Sequence, residues 1–130
     1  MDERSARVWI PQKVYAFDVD ETLEISGGPI PMNDLLVLHQ AGNIVGLCGN
    51  WAALTRAHHF TNWYGFINFL GSMAMTKAEF LKQLSTHIPA SEYVMVGNIL
   101  GVTGSSDDQG SAAQAGWRFI SERDFAGGAR

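Results

Sequence analysis

The stretch Val14-Tyr15-Ala16-Phe17-Asp18-Val19-Asp20-Glu21-Thr22 decides the fold. An apolar run ends abruptly at Asp18, with Asp20 and Thr22 behind it. Apolar, β-branched and aromatic residues in so short a run form a strand buried on both faces. Asp18 therefore stands at the strand's carboxyl end, the edge at which open α/β sheets bind ligands. Two carboxylates held together there repel unless a cation or a shared proton neutralises them. On an extended backbone Asp18 and Asp20 point the same way. A turn just after Asp18 would instead bring one side chain and the Asp20 carbonyl onto a single hard cation, Mg²⁺ first among them.

Outward from this strand the chain alternates. Residues 1–12 read as a polar lead-in with one apolar patch, Val8-Trp9-Ile10, stopped by Pro11. Residues 21–31, broken by Gly27-Gly28-Pro29-Ile30-Pro31, are a loop or small hairpin overhanging the acidic pair. Asn33 or Asp34 caps a helix through Leu35, Leu36, Leu38 and His39, closed by Gly42. A second buried strand, residues 44–48, ends in Gly49-Asn50. Residues 51–60 carry a helical pattern and residues 66–70 read as the third strand. Thr76 caps the best-marked helix, Glu79 completes a capping box, Phe80, Leu81 and Leu84 mark its buried face, and Pro89 ends it. The fourth strand, residues 93–96, is stopped by Gly97-Asn98. A glycine-bearing loop, a short helix over 109–115 closed by Gly116, and a fifth strand over 117–120 follow; residues 127–130 read as a loose tail. Strands alternating with helices predict an α/β fold of three layers, Rossmann-like, with a central five-stranded, mostly parallel sheet. No linker or internal repeat divides the 130 residues, a single domain.

Composition narrows the function. With 46% hydrophobic and 17% charged residues the chain is globular and not disordered. A net charge of −4 offers no basic field to a nucleic-acid backbone. The single cysteine, Cys48, excludes an internal disulfide, fits a reducing compartment and reads as a small buried hydrophobe. Residues 1–7 have no apolar core behind them, so no secretory signal is expected, and no apolar run approaches the ~20 residues of a membrane helix. A soluble, cytoplasmic protein is the expectation. His39, His58, His59 and His87 make no metal-ligand spacing with the cysteine.

If the first, second and fourth strands are neighbours, Asp18, Asp20 and Thr22 share one cleft with Gly49-Asn50 and Gly97-Asn98. Asp107 and Asp108 follow the fourth strand, where they either join the cleft or cap the next helix. Lys77, at the start of a helix, reaches the same place, with Lys82 as its rival. An apolar strand running into Asp-x-Asp-x-Thr resembles the first signature of the haloacid dehalogenase-like hydrolase superfamily, mostly Mg²⁺-dependent phosphatases. The order downstream is similar: a strand ending in a small residue plus Asn, a lone Lys opening a helix, a strand ending in Gly-Asn, and Asp-x-x-Ser-Ala-x-x-Ala-Gly-Trp from Asp108 to Trp117.

The resemblance implies that Asp18 is a nucleophile forming an aspartyl-phosphate. It implies that Asp20 is the acid and then the base, and that Lys77 holds the charge on Asp18 and phosphate. Thr22, Gly49 and Asn50 would contact phosphate, and Asp18, Asp20, Asn98, Asp107 and Asp108 are the candidates to hold Mg²⁺. Two positions depart from the family's pattern. Gly49 stands where a hydroxyl donor is usual, so backbone N–H groups at Gly49 and Asn50 would replace it. Asn98 stands where Asp is usual, removing one negative charge. Both should weaken binding of phosphate or metal. The spans between Asp18 and Gly49 and between Lys77 and Asn98 leave no room for a cap domain. An open cleft in this family implies a macromolecular phosphorylated substrate or a lid given by a second subunit, a homodimer. The competing expectation is a catalytically weak relative that binds Mg²⁺ and phosphate as a regulatory or assembly module.

Overall fold

The computed structural model describes residues 12–56 and 63–130, and the stretch around Val14 is its middle. Lys13–Phe17 forms β1, buried from Val14 onward. It pairs in parallel with β2 (Ile44–Cys48) on one side and with β4 (Glu92–Gly97) on the other. β3 (Leu70–Gly71) and β5 (Arg118–Ser121) are the edges, so the sheet runs β3-β2-β1-β4-β5 with every pairing parallel. A central strand flanked on both sides has no solvated face, which is why its run is uniformly apolar.

Side chains alternate across the sheet with period two. Tyr15, Phe17, Val45, Leu47, Val94 and Val96 face one way, under Leu35 and Leu38 of α1 (Met32–Gln40) and Phe125 of α4 (Glu122–Ala126). Val14, Ala16, Cys48 and Met95 face the other, under Leu81 of α2 (Lys77–His87) and Ala112 of α3 (Asp108–Ala115). The result is the three-layer, Rossmann-like α/β arrangement, with all five strands parallel. α2 begins as its sequence requires: the Thr76 hydroxyl accepts a hydrogen bond from the Glu79 N–H at 3.1 Å.

Several boundaries differ from the sequence reading. Only Leu70 and Gly71 form the third strand, because Asn68 interrupts the ladder. Its N–H donates to the Val45 carbonyl at 2.7 Å, but its side-chain Oδ1, in place of a backbone carbonyl, accepts from the Val45 N–H at 3.0 Å. α1 starts at Met32 behind Pro31, with no side-chain cap from Asn33 or Asp34; a proline in front of the first turn presets its backbone. Residues Trp51–Arg56 wind as a 3-10 helix. The rest of that expected helix, with His58, His59 and Phe60, lies outside the described residues, as does the patch Val8-Trp9-Ile10. α4 was not expected, although Ser121 and Asp124 form its capping pair, with the Ser121 hydroxyl accepting from the Asp124 N–H at 3.2 Å. Residues 127–130, read as loose, are tied down. The Arg130 guanidinium stacks on Phe125 at 3.9 Å and donates to the Phe125 carbonyl, and the Arg130 carbonyl accepts from Arg118.

Candidate active site at the carboxyl edge of the sheet

β1 delivers Asp18 to the sheet's carboxyl edge, where its N–H still bonds the Val96 carbonyl of β4 at 2.9 Å. The side chain is buried. Oδ1 accepts from Lys77 Nζ at 2.9 Å, and Oδ2 accepts a long 3.3 Å bond from the buried Thr22 hydroxyl. Lys77 is the first residue of α2, where the helix dipole disfavours a cation. Its stem folds over the helix end instead, and the ammonium also donates to Asp108 Oδ1 at 2.7 Å and Ser106 Oγ at 2.9 Å. Asp108, the first residue of α3, is fully buried, and its other oxygen accepts from the Asn98 N–H at 2.8 Å. Residues from three separate stretches thus meet around one ammonium.

The charges follow from that geometry. Burial raises the Asp18 carboxyl and the nearby Asp108 raises it further; Lys77 opposes both, and the balance stands at about 6 against an ordinary 3.8. Burial alone would lower Lys77, but Asp18 and Asp108 together outweigh it and hold the ammonium above its ordinary value. Near neutrality, then, the cluster holds an ionised Asp18 carboxylate beside a charged lysine. Cys48 takes no part: burial pushes its thiol up to about 12.

The remaining sequence candidates divide. Asp20 is exposed at the mouth, where its Oδ2 accepts from Asn50 Nδ2 at 3.4 Å. Gly49 lies under the cluster; a Cβ there would come within 2.5 Å of Asp18 Oδ1, so the missing hydroxyl has no room. Its N–H does not replace that donor, because it is committed to the Gly71 carbonyl at 2.8 Å. Asp107 is not at the cluster. It caps α3, its Oδ1 accepting from the Gly110 N–H at 3.0 Å, and its side chain is exposed. Lys82 is exposed and makes no ion pair among the described residues.

Asn98 is fully buried. Its Nδ2 donates to the Glu21 carbonyl at 3.2 Å and to Glu122 Oε2 at 3.1 Å, while its Oδ1 has no partner among the described residues. The turn that brings the Glu21 carbonyl there puts Glu21 at φ +59°, left-handed backbone that a non-glycine residue adopts at some cost. The Glu21 carboxylate in turn accepts from Ser105 Oγ at 2.8 Å and fastens the loop after β4. Sequence reasoning missed Glu122, Glu21 and Ser106. Glu122 carried a usable signal, a carboxylate just past an apolar strand, as Asp18 is; Ser106 carried none beyond its nearness to Asp108. Beyond the Asn98–Glu122 pair a cavity of about 360 Å³ opens between Gly27, Gly28, Thr103, Glu122 and Arg123; Asp18, Lys77 and Asp108 do not line it.

No group of three or more His, Cys, Asp or Glu side chains is gathered for a metal among the described residues. Mg²⁺ does not need one: it is commonly held by one or two carboxylates, with waters and substrate oxygens completing its shell. The oxygens with spare capacity here are Asp18 Oδ2, with its single long hydrogen bond, and the orphaned Asn98 Oδ1. Both are hard oxygen donors, the type such an ion takes. No family model matches the chain, and no curated protein or solved structure matches it either.

Proposed function

We propose that this chain is a Mg²⁺-dependent phosphohydrolase of the haloacid dehalogenase-like kind, with Asp18 as its nucleophile. The observation that carries the reading is the Lys77 ammonium, 2.9 Å from Asp18 and 2.7 Å from Asp108 across 59 and 31 residues of sequence. Two buried carboxylates around one lysine at a sheet's carboxyl edge leave the cluster net negative, which suits a divalent cation that brings a phosphate with it. An Asp18 oxygen attacks phosphorus, and the bond from phosphorus to the leaving oxygen breaks. Asp20, at the mouth, protonates that oxygen. Water then attacks the aspartyl-phosphate, Asp20 takes its proton, and phosphate departs with the Asp18 carboxylate restored. Lys77 stays charged on Asp18, Asp108 and Ser106, and its charge offsets the one that develops on the phosphoryl oxygens. Asp18, Asn98 and the Asp20 carbonyl would hold Mg²⁺, which when bound offsets repulsion between the anionic nucleophile and substrate. Among the described residues only a loop and α1 stand between β1 and β2, which leaves no room there for a cap domain over the cleft. A phosphate on a macromolecule is the matching substrate class, and a second subunit is the other source of cover. The cytoplasm, where Cys48 stays a thiol, is the matching compartment.

A second reading, a Mg²⁺- and phosphate-binding module without turnover, is favoured by the Gly49 N–H, which is committed to Gly71, and by the Asn98 amide, committed to Glu21 and Glu122. Hydrolysis of an aryl phosphate with and without Mg²⁺, compared with D18N, separates the two. Turnover that needs both Mg²⁺ and Asp18 supports the enzyme. Equal background rates for wild type and D18N, with Mg²⁺ binding retained, support the module.

A further inference from the structure

Four buried side-chain atoms have no hydrogen-bond partner among the described residues: His39 Nδ1, Asn43 Oδ1, Trp117 Nε1 and Asn98 Oδ1. Only Asn98 stands past the carboxyl end of a strand, after β4. The β1–β4 register, Phe17 beside Val96, sets it next to the Asp18 turn. Leaving a buried carbonyl oxygen unpartnered is unfavourable, so its orientation must be imposed. Both amide hydrogens are engaged, one by the Glu21 carbonyl and one by Glu122 Oε2. Rotating the amide by half a turn would set its oxygen against those two oxygens and lose both bonds. Gly104 presses on the amide as well: a Cβ at that position would lie 2.5 Å from Asn98 Cγ.

We propose that Glu122 is a positioning residue for a divalent cation: its carboxylate holds the Asn98 amide so that Oδ1 is presented as a ligand. A carboxylate on the amide N–H also polarises the group toward its oxygen, as partners behind metal ligands do. The negative charge absent from position 98 stands one side chain further out, at position 122. An aspartate at 98 would then not improve the site, because two carboxylates would face each other at about the present 3.1 Å. The inference rests on the Mg²⁺ site of the phosphohydrolase reading and deepens it.

The test is a Mg²⁺ titration of the full chain as wild type, E122Q, N98D and N98D/E122Q, read by calorimetry and by the Mg²⁺-dependent rise in melting temperature, neither of which needs turnover. E122Q should bind Mg²⁺ about 10- to 100-fold more weakly. N98D alone should bind no more tightly than wild type. N98D/E122Q, which puts an amide beside the new carboxylate, should recover binding to wild-type strength or better. A loss of melting temperature in E122Q with unchanged Mg²⁺ affinity would mark Glu122 as a merely structural group and overturn the inference. So would N98D binding more tightly than wild type with Glu122 in place. If wild type itself gives no Mg²⁺ response, the metal-dependent reading falls with it; if wild type binds and E122Q binds equally, only the role of Glu122 falls.

Discussion

Asp18 is held in conflict: burial and Asp108 push its carboxyl up to about 6, while Lys77 pulls it down. In the proposed reaction Asp18 attacks as the carboxylate, and D18N should abolish turnover without abolishing folding. The stability consequence has a definite sign. A carboxyl raised in the folded state contributes stability that is complete below its unfolded value of 3.8 and lost as pH climbs through about 6. Asparagine does not titrate. The melting temperature of D18N relative to wild type should therefore move in the variant's favour between pH 4 and pH 7, by roughly 5 °C or more; a gap independent of pH would contradict the assignment. Lys77 answers the opposite way. Replacing it by methionine leaves Asp18 and the fully buried Asp108 without their counter-ion, at a cost of about 3 kcal/mol or more at pH 8. Part of that loss should be recovered at pH 5, where Asp18 is protonated, and denaturant unfolding of K77M at the two pH values measures it.

At the scale of elements, the site is made by where strands stop. β1 ends at Phe17 and β4 at Gly97, one residue ahead of Asp18 and Asn98 respectively, and α2 and α3 begin at Lys77 and Asp108 themselves. The glycine just past β2, Gly49, is a packing requirement of the Asp18 carboxylate. Alanine at position 49 should displace the Asp18 carboxylate, because its Cβ would come within 2.5 Å of Oδ1. We expect G49A to destabilise by about 1–3 kcal/mol, the usual cost of overpacking, and to lower kcat more than it raises KM, read from steady-state kinetics beside denaturant unfolding. Glycines at 46 and 71 serve the opposite face of the site's support. They leave room for the rings of Phe69 and Phe80, which pack 5.9 Å apart over β2 and β3. These close approaches have no periodic signature, which is why the sequence shows Gly49 only as a lost donor.

Across the whole molecule the layers are tied at the end of the chain as well as at the core. Arg130 stacks on Phe125 of α4, whose ring meets Phe17 of β1 edge-on at 5.2 Å, so residue 130 is linked through one ring to the central strand. R130A should lower the melting temperature by roughly 4 °C, corresponding to ~1 kcal/mol for a stacked cation, and leave the aryl-phosphate rate unchanged, since Arg130 lies outside the cluster. The α/β class, four of the five strands and the capped start of α2 were legible because each is written locally, in apolar runs, a Thr76–Glu79 box and glycine breaks. Asp18, Thr22, Lys77 and Asp108 were legible as candidates for the same reason: a polar group at the end of an apolar strand or the start of a helix has few places to go. What the amino-acid order determined by itself was therefore the set of elements and the residues at their tips. Only the tertiary structure decided which tips meet. It chose Asp108 over Asp107, Lys77 over Lys82, and Glu122 as the partner of Asn98, because hydrogen bonds across 24 to 84 residues depend on strand order and packing, which no local pattern encodes.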